Sequence, residues 1–323
     1  MEAELVDRLP DHDGWQYEPK WDGFRGILEN VAGELHLWSR NARPLLRYFP
    51  ELRALADKLP PKSAVDGEIV IERDGVLDFD ALQMRLHPAE SRVRKLSAEY
   101  PATFVAFDVL LWKGEELHKL PLEQRRKRVE KLPYKVSPAT RDVAEARRWL
   151  DRLEVIGFDG VVAKRLGLPY LPGSREAVVK VKGEKTADCV VMGVTWSEKG
   201  RGIASLMLGL YENGKLHHVG TASAAGKRRD EILERVEPLL GKKPERRPRG
   251  EPSRWRPQVT GEWSPVPPKL VVEVRYDKWQ GQRFRHGTRF LRFRPDKNPE
   301  QCTIRQVRPR PKKGDPTVAE LLA

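Results

Sequence analysis

Glu18-Pro19-Lys20-Trp21-Asp22-Gly23-Phe24-Arg25 is the stretch on which the reading of this chain turns. It sets one lysine between two carboxylates, Glu18 and Asp22, with Gly23 close by and Arg25 five residues beyond the lysine. A lysine amine is a poor nucleophile while protonated. Desolvation or neighbouring cations lower its pKa and let it attack carbonyl carbon or phosphorus. The glycine permits a tight turn or a close approach to a ligand. Arg25 offers a rigid fork of donors suited to phosphate or ribose oxygens. K-x-D-G is also ordinary turn chemistry, so the octapeptide alone leaves a reactive lysine and a surface hairpin lysine both open.

A chain of 323 residues allows one large domain and one smaller one, at about 100–200 residues per domain. The hydrophobic share of 39% and charged share of 33% fit a soluble globular protein. No apolar run is long enough to span a membrane, and Met1-Glu2-Ala3-Glu4 is acidic where a signal peptide would be basic. Cys189 and Cys302 can build neither a zinc site nor a disulfide framework, so a reducing cytoplasm is the expected location. The histidines, His217-His218 included, lack metal-ligand spacing.

Net charge is +13, with a pI near 9.7. Arg-rich genomes yield basic proteins with no special partner, but the distribution favours a polyanion. Residues 241–256 hold seven Lys/Arg against two Glu, and residues 275–297 hold eight against two Asp. The second stretch interleaves Tyr276, Trp279, Phe284, Phe290 and Phe293, as a nucleic-acid footprint does.

Strand and helix signals alternate over residues 1–185, the first expected domain. Residues 26–37 read as two strands about a turn at Val31-Ala32-Gly33, and 49–59 as a helix stopped by Pro60-Pro61. Residues 64–72 and 104–112 read as strands, the second buried on both faces. Amphipathic helices are expected over 122–132 and 143–153, and short strands over 160–164 and 177–182. This predicts an α+β domain with mostly antiparallel sheets and no P-loop. Residues 186–305 form the second expected domain, with strands over 188–195, 205–211, 215–220, 270–276 and 289–293 and one helix over 227–240. Asn213-Gly214 marks a hairpin, and 241–257 is loop. That pattern predicts a small all-β barrel of the OB type. Residues 306–323 read as a basic tail, disordered over 307–315.

Further carboxylate–glycine pairs accompany the lysine. Asp66-Gly67-Glu68 ends a strand, Asp159-Gly160-Val161-Val162-Ala163-Lys164 leads into one, and Lys180-Val181-Lys182 puts two ammonium groups on one strand face. Such carboxylates serve a divalent metal or a ribose hydroxyl. The paired lysines fit a phosphate between them, or a solvated face. Arg294-Pro295-Asp296-Lys297 closes the basic second stretch.

Taken in order, these elements resemble the motifs of the covalent nucleotidyltransferase superfamily, specifically the ATP-dependent DNA ligases. Lys20–Arg25 is similar to motif I (K-x-D-G-x-R), Ser39-Arg40-Asn41 to the next loop, and Asp66-Gly67-Glu68 to motif III. Residues 104–110 are similar to motif IIIa, 159–164 to motif IV, 180–182 to motif V and 294–297 to motif VI (R-x-D-K). The resemblance implies an adenylation domain of ATP-grasp-like antiparallel sheets and helices, followed by an OB domain.

It also implies roles. Lys20 would attack the α-phosphate of ATP and carry AMP as a phosphoramidate. Glu18 would meet the adenine edge, and Phe107 would stack on the base. Arg25 and Arg40 would serve the ribose and the nicked-DNA phosphate, and Glu68 the ribose or a metal. Asp159 would hold the catalytic Mg²⁺ or Mn²⁺, and Lys180 and Lys182 would bind the α-phosphate. Arg175 would be a further phosphate contact, and Arg294, Asp296 and Lys297 would orient the pyrophosphate. Asp159 stands where many relatives have Glu, and Val179 where a tryptophan is frequent.

The compact chain matches bacterial ligases of the ligase C type, or the ligase domain of the multifunctional ligase D of end joining. The segment 196–226 and the helix after it are similar to that group. The implied substrate is nicked duplex DNA, the implied state a nucleoid-associated monomer, and the implied companions an end-binding protein and a polymerase. An RNA ligase, a capping-type guanylyltransferase and a catalytically inactive OB-type nucleic-acid binder are the alternatives.

Overall fold

The computed structural model describes residues 1–322 except 184, 198–201, 225–227, 242–244, 249–261, 309–310 and 312, and for 247–248 the backbone alone. Gly200-Arg201 and most of the expected loop over 241–257 therefore lie outside the described residues. The chain divides into two compact units, Met1–Gly183 with Arg310–Ala323, and Glu184–Pro309.

The first unit holds two principal sheets. One orders its strands Glu34–Ser39, Phe24–Val31, Ser63–Val70, Thr103–Leu111, Lys135–Val136; only the last pair is parallel. The turn between the first two in sequence has φ of 51° at Ala32 and 98° at Gly33. Two successive positive φ values match the right-handed twist of a tight hairpin. Thr103–Leu111 is apolar on both faces because the sheet is covered on both. Phe104 and Ala106 join the core of Leu28, Leu37 and Phe49, while Val105 packs with Trp21, Val70 and Phe158. The only break in its run, Asp108, is buried and paired with the buried Arg125 at 2.8 Å.

The other sheet orders Glu4–Leu5, Val178–Val181, Val161–Arg165, Trp15–Pro19. Tyr17, Ala146, Val161, Ala163 and Val181 form its core against the helix Val143–Arg152. Asp142 caps that helix by accepting from Ala144 N–H at 2.8 Å, satisfying an otherwise orphan donor. The stretch expected as a helix over 49–59 is instead a 3₁₀ helix, Pro50–Lys58. The Trp15–Pro19 strand has no counterpart in the sequence reading.

In the second unit Lys185–Trp196, Ile203–Glu212 and Lys215–Ser223 form a meander. Val271–Tyr276 lies on the free side of the first strand and Arg289–Phe293 beside it. A bridge from Ala222 to Thr288, with Thr288 N–H donating to Thr221 O at 3.0 Å, joins the two outer strands. This is the expected OB-type topology. Its interior is Val190, Val194, Leu206, Leu208, Val219, Val272 and Val274, and the helix Arg229–Leu240 adds Ile232 and Val236.

The basic tail expected over 306–323 is held at Val307 and Val318, while residues 309–310 and 312 of its expected disordered part lie outside the described residues. Val307 is buried in the second unit. Val318 is buried beside Phe158 in the first unit, in a short helix, Val318–Leu321, closed by a Thr317–Glu320 capping box. Apolar burial fixes Val307, and burial with capping fixes the helix Val318–Leu321. Among the described residues, no helix is long and apolar enough to cross a membrane.

Candidate active site

The antiparallel ladder between Trp15–Pro19 and Val161–Arg165 continues one residue past Pro19. Lys20 N–H donates to Gly160 O, and Asp159 N–H donates to Lys20 O, both at 2.9 Å. Both backbone groups of Lys20 are thereby fixed to Asp159-Gly160. Trp21 pins the next position: its ring packs on Phe158 at 4.6 Å, and its Nε1 donates to Ser137 Oγ at 2.9 Å. Two motif glycines are required by close contact. A Cβ on Gly160, whose φ is +128°, would stand 2.0 Å from Val181 O, and one on Gly23 would stand 2.2 Å from Ile69 O.

This backbone places the side chains. Lys20 Nζ lies 2.7 Å from Asp159 Oδ2, and Lys182 Nζ lies 3.1 Å from the same oxygen. Burial alone would raise the Asp159 pKa. The charges of Lys20 and Lys182 outweigh it and hold the carboxyl below the usual aspartate value. Burial lowers the Lys180 pKa, and the positive charges of Lys20 and Lys182 lower it further. Three ammonium groups around one carboxylate leave excess positive charge, which suits an anion. The strand itself ends at Val181, so Lys182 sits just past it rather than on it.

Glu18 is buried, and both of its oxygens lie 2.8 Å from Lys164 Nζ. Gln16 Nε2 donates to Glu18 Oε1 at 2.9 Å. The Lys164 ammonium also sits 4.6 Å from the centroid of the Phe107 ring. Lys164 carries no role in the sequence reading. Strand alternation could have found it, because Lys164 shares a face with Val162, which stands opposite Glu18.

Arg25 grips Asp66 with two parallel bonds, Nε to Oδ1 at 3.1 Å and Nη2 to Oδ2 at 2.7 Å. Tyr170 completes the arrangement. Its hydroxyl donates to Asp66 Oδ2 and accepts from Arg25 Nη2, each at 2.8 Å. Burial would lower the Arg25 pKa, but Asp66 holds it above its ordinary value. Tyr170 has no sequence signature, since loop residues meet partners that spacing does not reveal. Arg40 and Arg175 both pair with Glu2, Arg175 at 3.3 Å.

Of the residues expected from sequence, Glu18, Lys20, Arg25, Arg40, Glu68, Phe107, Arg175 and Lys180 line one cleft of about 880 Å³ within the first unit. Asp159 and Lys182 adjoin it through Lys20. Burial pushes the Glu68 carboxyl up to about 8. Lys20 and Arg25 offset this only in part, and the charges of Asp66 and Asp22 add to it. Arg294, Asp296 and Lys297 belong to the second unit, where Arg294 and Lys297 both reach Asp188 at 2.9 Å.

Comparison with known proteins adds the family. Residues 3–182 match the model of the "ATP dependent DNA ligase domain", and residues 199–297 match the "ATP dependent DNA ligase C terminal region". The chain belongs to the ATP-dependent DNA ligase family. It is 43% identical over 325 residues to DNA ligase C1 of Mycolicibacterium smegmatis, covering 95% of this chain and 92% of that protein. It is 32% identical to the multifunctional non-homologous end joining DNA repair protein LigD of Mycobacterium tuberculosis, covering 89% of this chain but 37% of that protein. A solved Lig E DNA ligase, 17% identical, superposes with a TM-score of 0.53 over 91% of this chain and all of that one, which is a likeness of fold.

Two carboxylates of the site, Glu68 and Asp159, could hold a divalent cation. Glu68, its carboxyl pushed up to about 8 by burial, is a donor that a cation would ionise. Asp159 is already ionised, but two lysines share one of its oxygens. Hard oxygen donors of this kind suit Mg²⁺ or Mn²⁺ with phosphate oxygens completing the set. Among the described residues no group of three or more His, Cys, Asp or Glu side chains forms a cage by itself.

Proposed function

We propose that this ligase seals 5′-phosphate/3′-hydroxyl nicks in duplex DNA through a covalent Lys20–AMP intermediate. The observation that carries the reading is the fixed Lys20–Asp159 pair, at 2.7 Å, with Lys20 on the wall of the cleft. The Lys20 amine attacks the α-phosphorus of ATP. An N–P bond forms, the P–O bond to the β-phosphate breaks, and pyrophosphate leaves as the amine releases its proton. Asp159 aims the amine, while Lys180 and Lys182 meet the charge that gathers on the α-phosphate. AMP then passes to the DNA 5′-phosphate, and the 3′-hydroxyl displaces it.

The remaining residues divide the substrates between them. Phe107 stacks on adenine, and Glu18, set by Lys164 and Gln16, accepts from the exocyclic amine. A carboxylate would repel the O6 of guanine, which favours ATP over GTP. Arg25 and Arg40 hold ribose and nick phosphate, and Arg175 adds a phosphate contact. Arg294, Asp296 and Lys297 orient the pyrophosphate. Mg²⁺ or Mn²⁺, held through Glu68 and Asp159, supplies charge neutralisation on the phosphates. The setting is bacterial DNA repair, with an end-binding protein and a polymerase of end joining as companions.

The test is incubation with α-labelled ATP and Mg²⁺ or Mn²⁺, followed by a nicked duplex. An acid-labile adduct lost in Lys20→Ala, and sealing of the nick, are expected. An unlabelled protein that still binds DNA would mean a binding module. Faster sealing of a nick carrying ribose would mean an RNA ligase, and GTP labelling Lys20 as well as ATP would overturn the role of Glu18.

A further inference from the structure

Residues 294–297 turn back on themselves at the end of the Arg289–Phe293 strand. Arg294 N–H donates to Val271 O at 2.8 Å, and Lys297 N–H donates to Arg294 O at 3.1 Å. The two basic side chains of this turn converge on one residue of another strand. Arg294 Nη1 meets Asp188 Oδ1 and Lys297 Nζ meets Asp188 Oδ2, each at 2.9 Å. Asp188 is itself fixed. The Gln306 side chain takes both of its backbone groups, accepting from its N–H at 2.9 Å and donating to its carbonyl at 2.8 Å. Its side chain is 11% exposed, against 63% for Asp296.

We infer that Asp188 is the positioning residue that holds Arg294 and Lys297 as a preset pair of cations for the polyphosphate of ATP. This rests on the proposed nick-sealing reading. Lys297 has a flexible four-carbon stem, and in a surface turn it would sample many rotamers. Asp188 restricts it before any ligand arrives, so less entropy is lost on binding. Arg294 keeps a directed face as well. Of its five N–H donors, Nε and Nη2 engage Asp296 and one Nη1 N–H engages Asp188. The other two, one on each Nη, have no partner among the described residues and are left to donate to phosphate oxygens.

The consequence is confined to one step. Only attack on ATP has a polyphosphate leaving group, so Asp188 serves that step and not the transfer of AMP to DNA or the closing of the nick. A framework residue of the barrel would affect every step alike.

Asp188→Asn and Asp188→Glu separate these possibilities. Each variant is assayed for labelling of Lys20 by ATP, for sealing of a nick that already carries 5′-AMP, and for thermal melting. For D188N the expected result is at least a tenfold loss in labelling at limiting ATP, with a raised KM for ATP. Sealing of the pre-adenylated nick stays within twofold, and D188E regains at least half of the labelling. On a Lys297→Met background, D188N should add less than it does alone. Equal loss in both assays without recovery in D188E, or labelling of D188N within twofold of the unsubstituted protein, overturns the inference. Absence of labelling in the unsubstituted protein would instead defeat the reading on which it rests.

Discussion

Lys20 Nζ lies 2.7 Å from Asp159 Oδ2, with the backbones of the two residues joined by a hydrogen bond of 2.9 Å. The proposed nucleophile is therefore aimed by its neighbour through main chain and side chain together. Asp159→Asn keeps the shape and removes the charge. It should lower labelling of Lys20 by ATP by about 100-fold, the scale of a mispositioned reacting group. Quantified adduct formation checks this, and labelling within fivefold of the parent would refute it.

The same pair gives a pH dependence of stability. The folded Asp159 pKa is below its unfolded value of 3.8. Its contribution is thus complete above that value and is lost as pH falls through the lower, folded pKa. Melting temperature followed from neutral pH into strong acid should fall more for the parent than for Asp159→Asn. Parallel curves would count against it.

Glu68 has the opposite sign. Its carboxyl is raised from 4.5 to about 8 in the folded protein. The unfolded chain gives up this proton first, so the Glu68 contribution to stability is present below 4.5 and declines as pH rises to about 8. Glu68→Gln should flatten that decline. Binding of Mg²⁺ with ATP at pH 7 should release a proton that is absent in Glu68→Gln. Calorimetry in buffers of different ionisation enthalpy reads the difference, and equal release in both proteins would exclude Glu68 as the source.

Gly160→Ala meets Val181 O at 2.0 Å on a backbone of φ +128°. Over-packing and backbone strain act together there, for a loss of at least ~3 kcal/mol. Chemical denaturation measures it, and a loss below ~1 kcal/mol would show that the two strands separate easily.

Lys164→Met leaves the Glu18 carboxylate buried without its cation. Breaking a buried pair costs about 3–5 kcal/mol. The double variant with Glu18→Gln should recover part of that stability but not the preference for ATP over GTP. Stability curves and a nucleotide panel on both variants test it.

Much of the site was legible because its parts carry local marks. A carboxylate followed by glycine recurs at Asp22, Asp66 and Asp159, and each glycine marks a place where strands nearly touch. The strands over 103–111 and 203–212 could be read from apolar runs, the first broken only at Asp108, and a hairpin turn. The partners were not legible. Lys164 reaches Glu18 across 146 residues, Tyr170 reaches Asp66 across 104, and Ser137 reaches Trp21 across 116. Periodicity describes which face a residue occupies, but not which distant residue shares that face. The helix Val318–Leu321 escaped notice for a related reason, since four residues are too few to show a helical period.

The main chain of Lys20 is bolted on both sides to Asp159-Gly160. On the proposed chemistry, AMP rides on a tether that can bend but not travel, no longer than one side chain. ATP and the broken strand must then visit the same spot in turn. Pyrophosphate has to clear before DNA can be served, so excess pyrophosphate and incoming DNA should compete for a single berth.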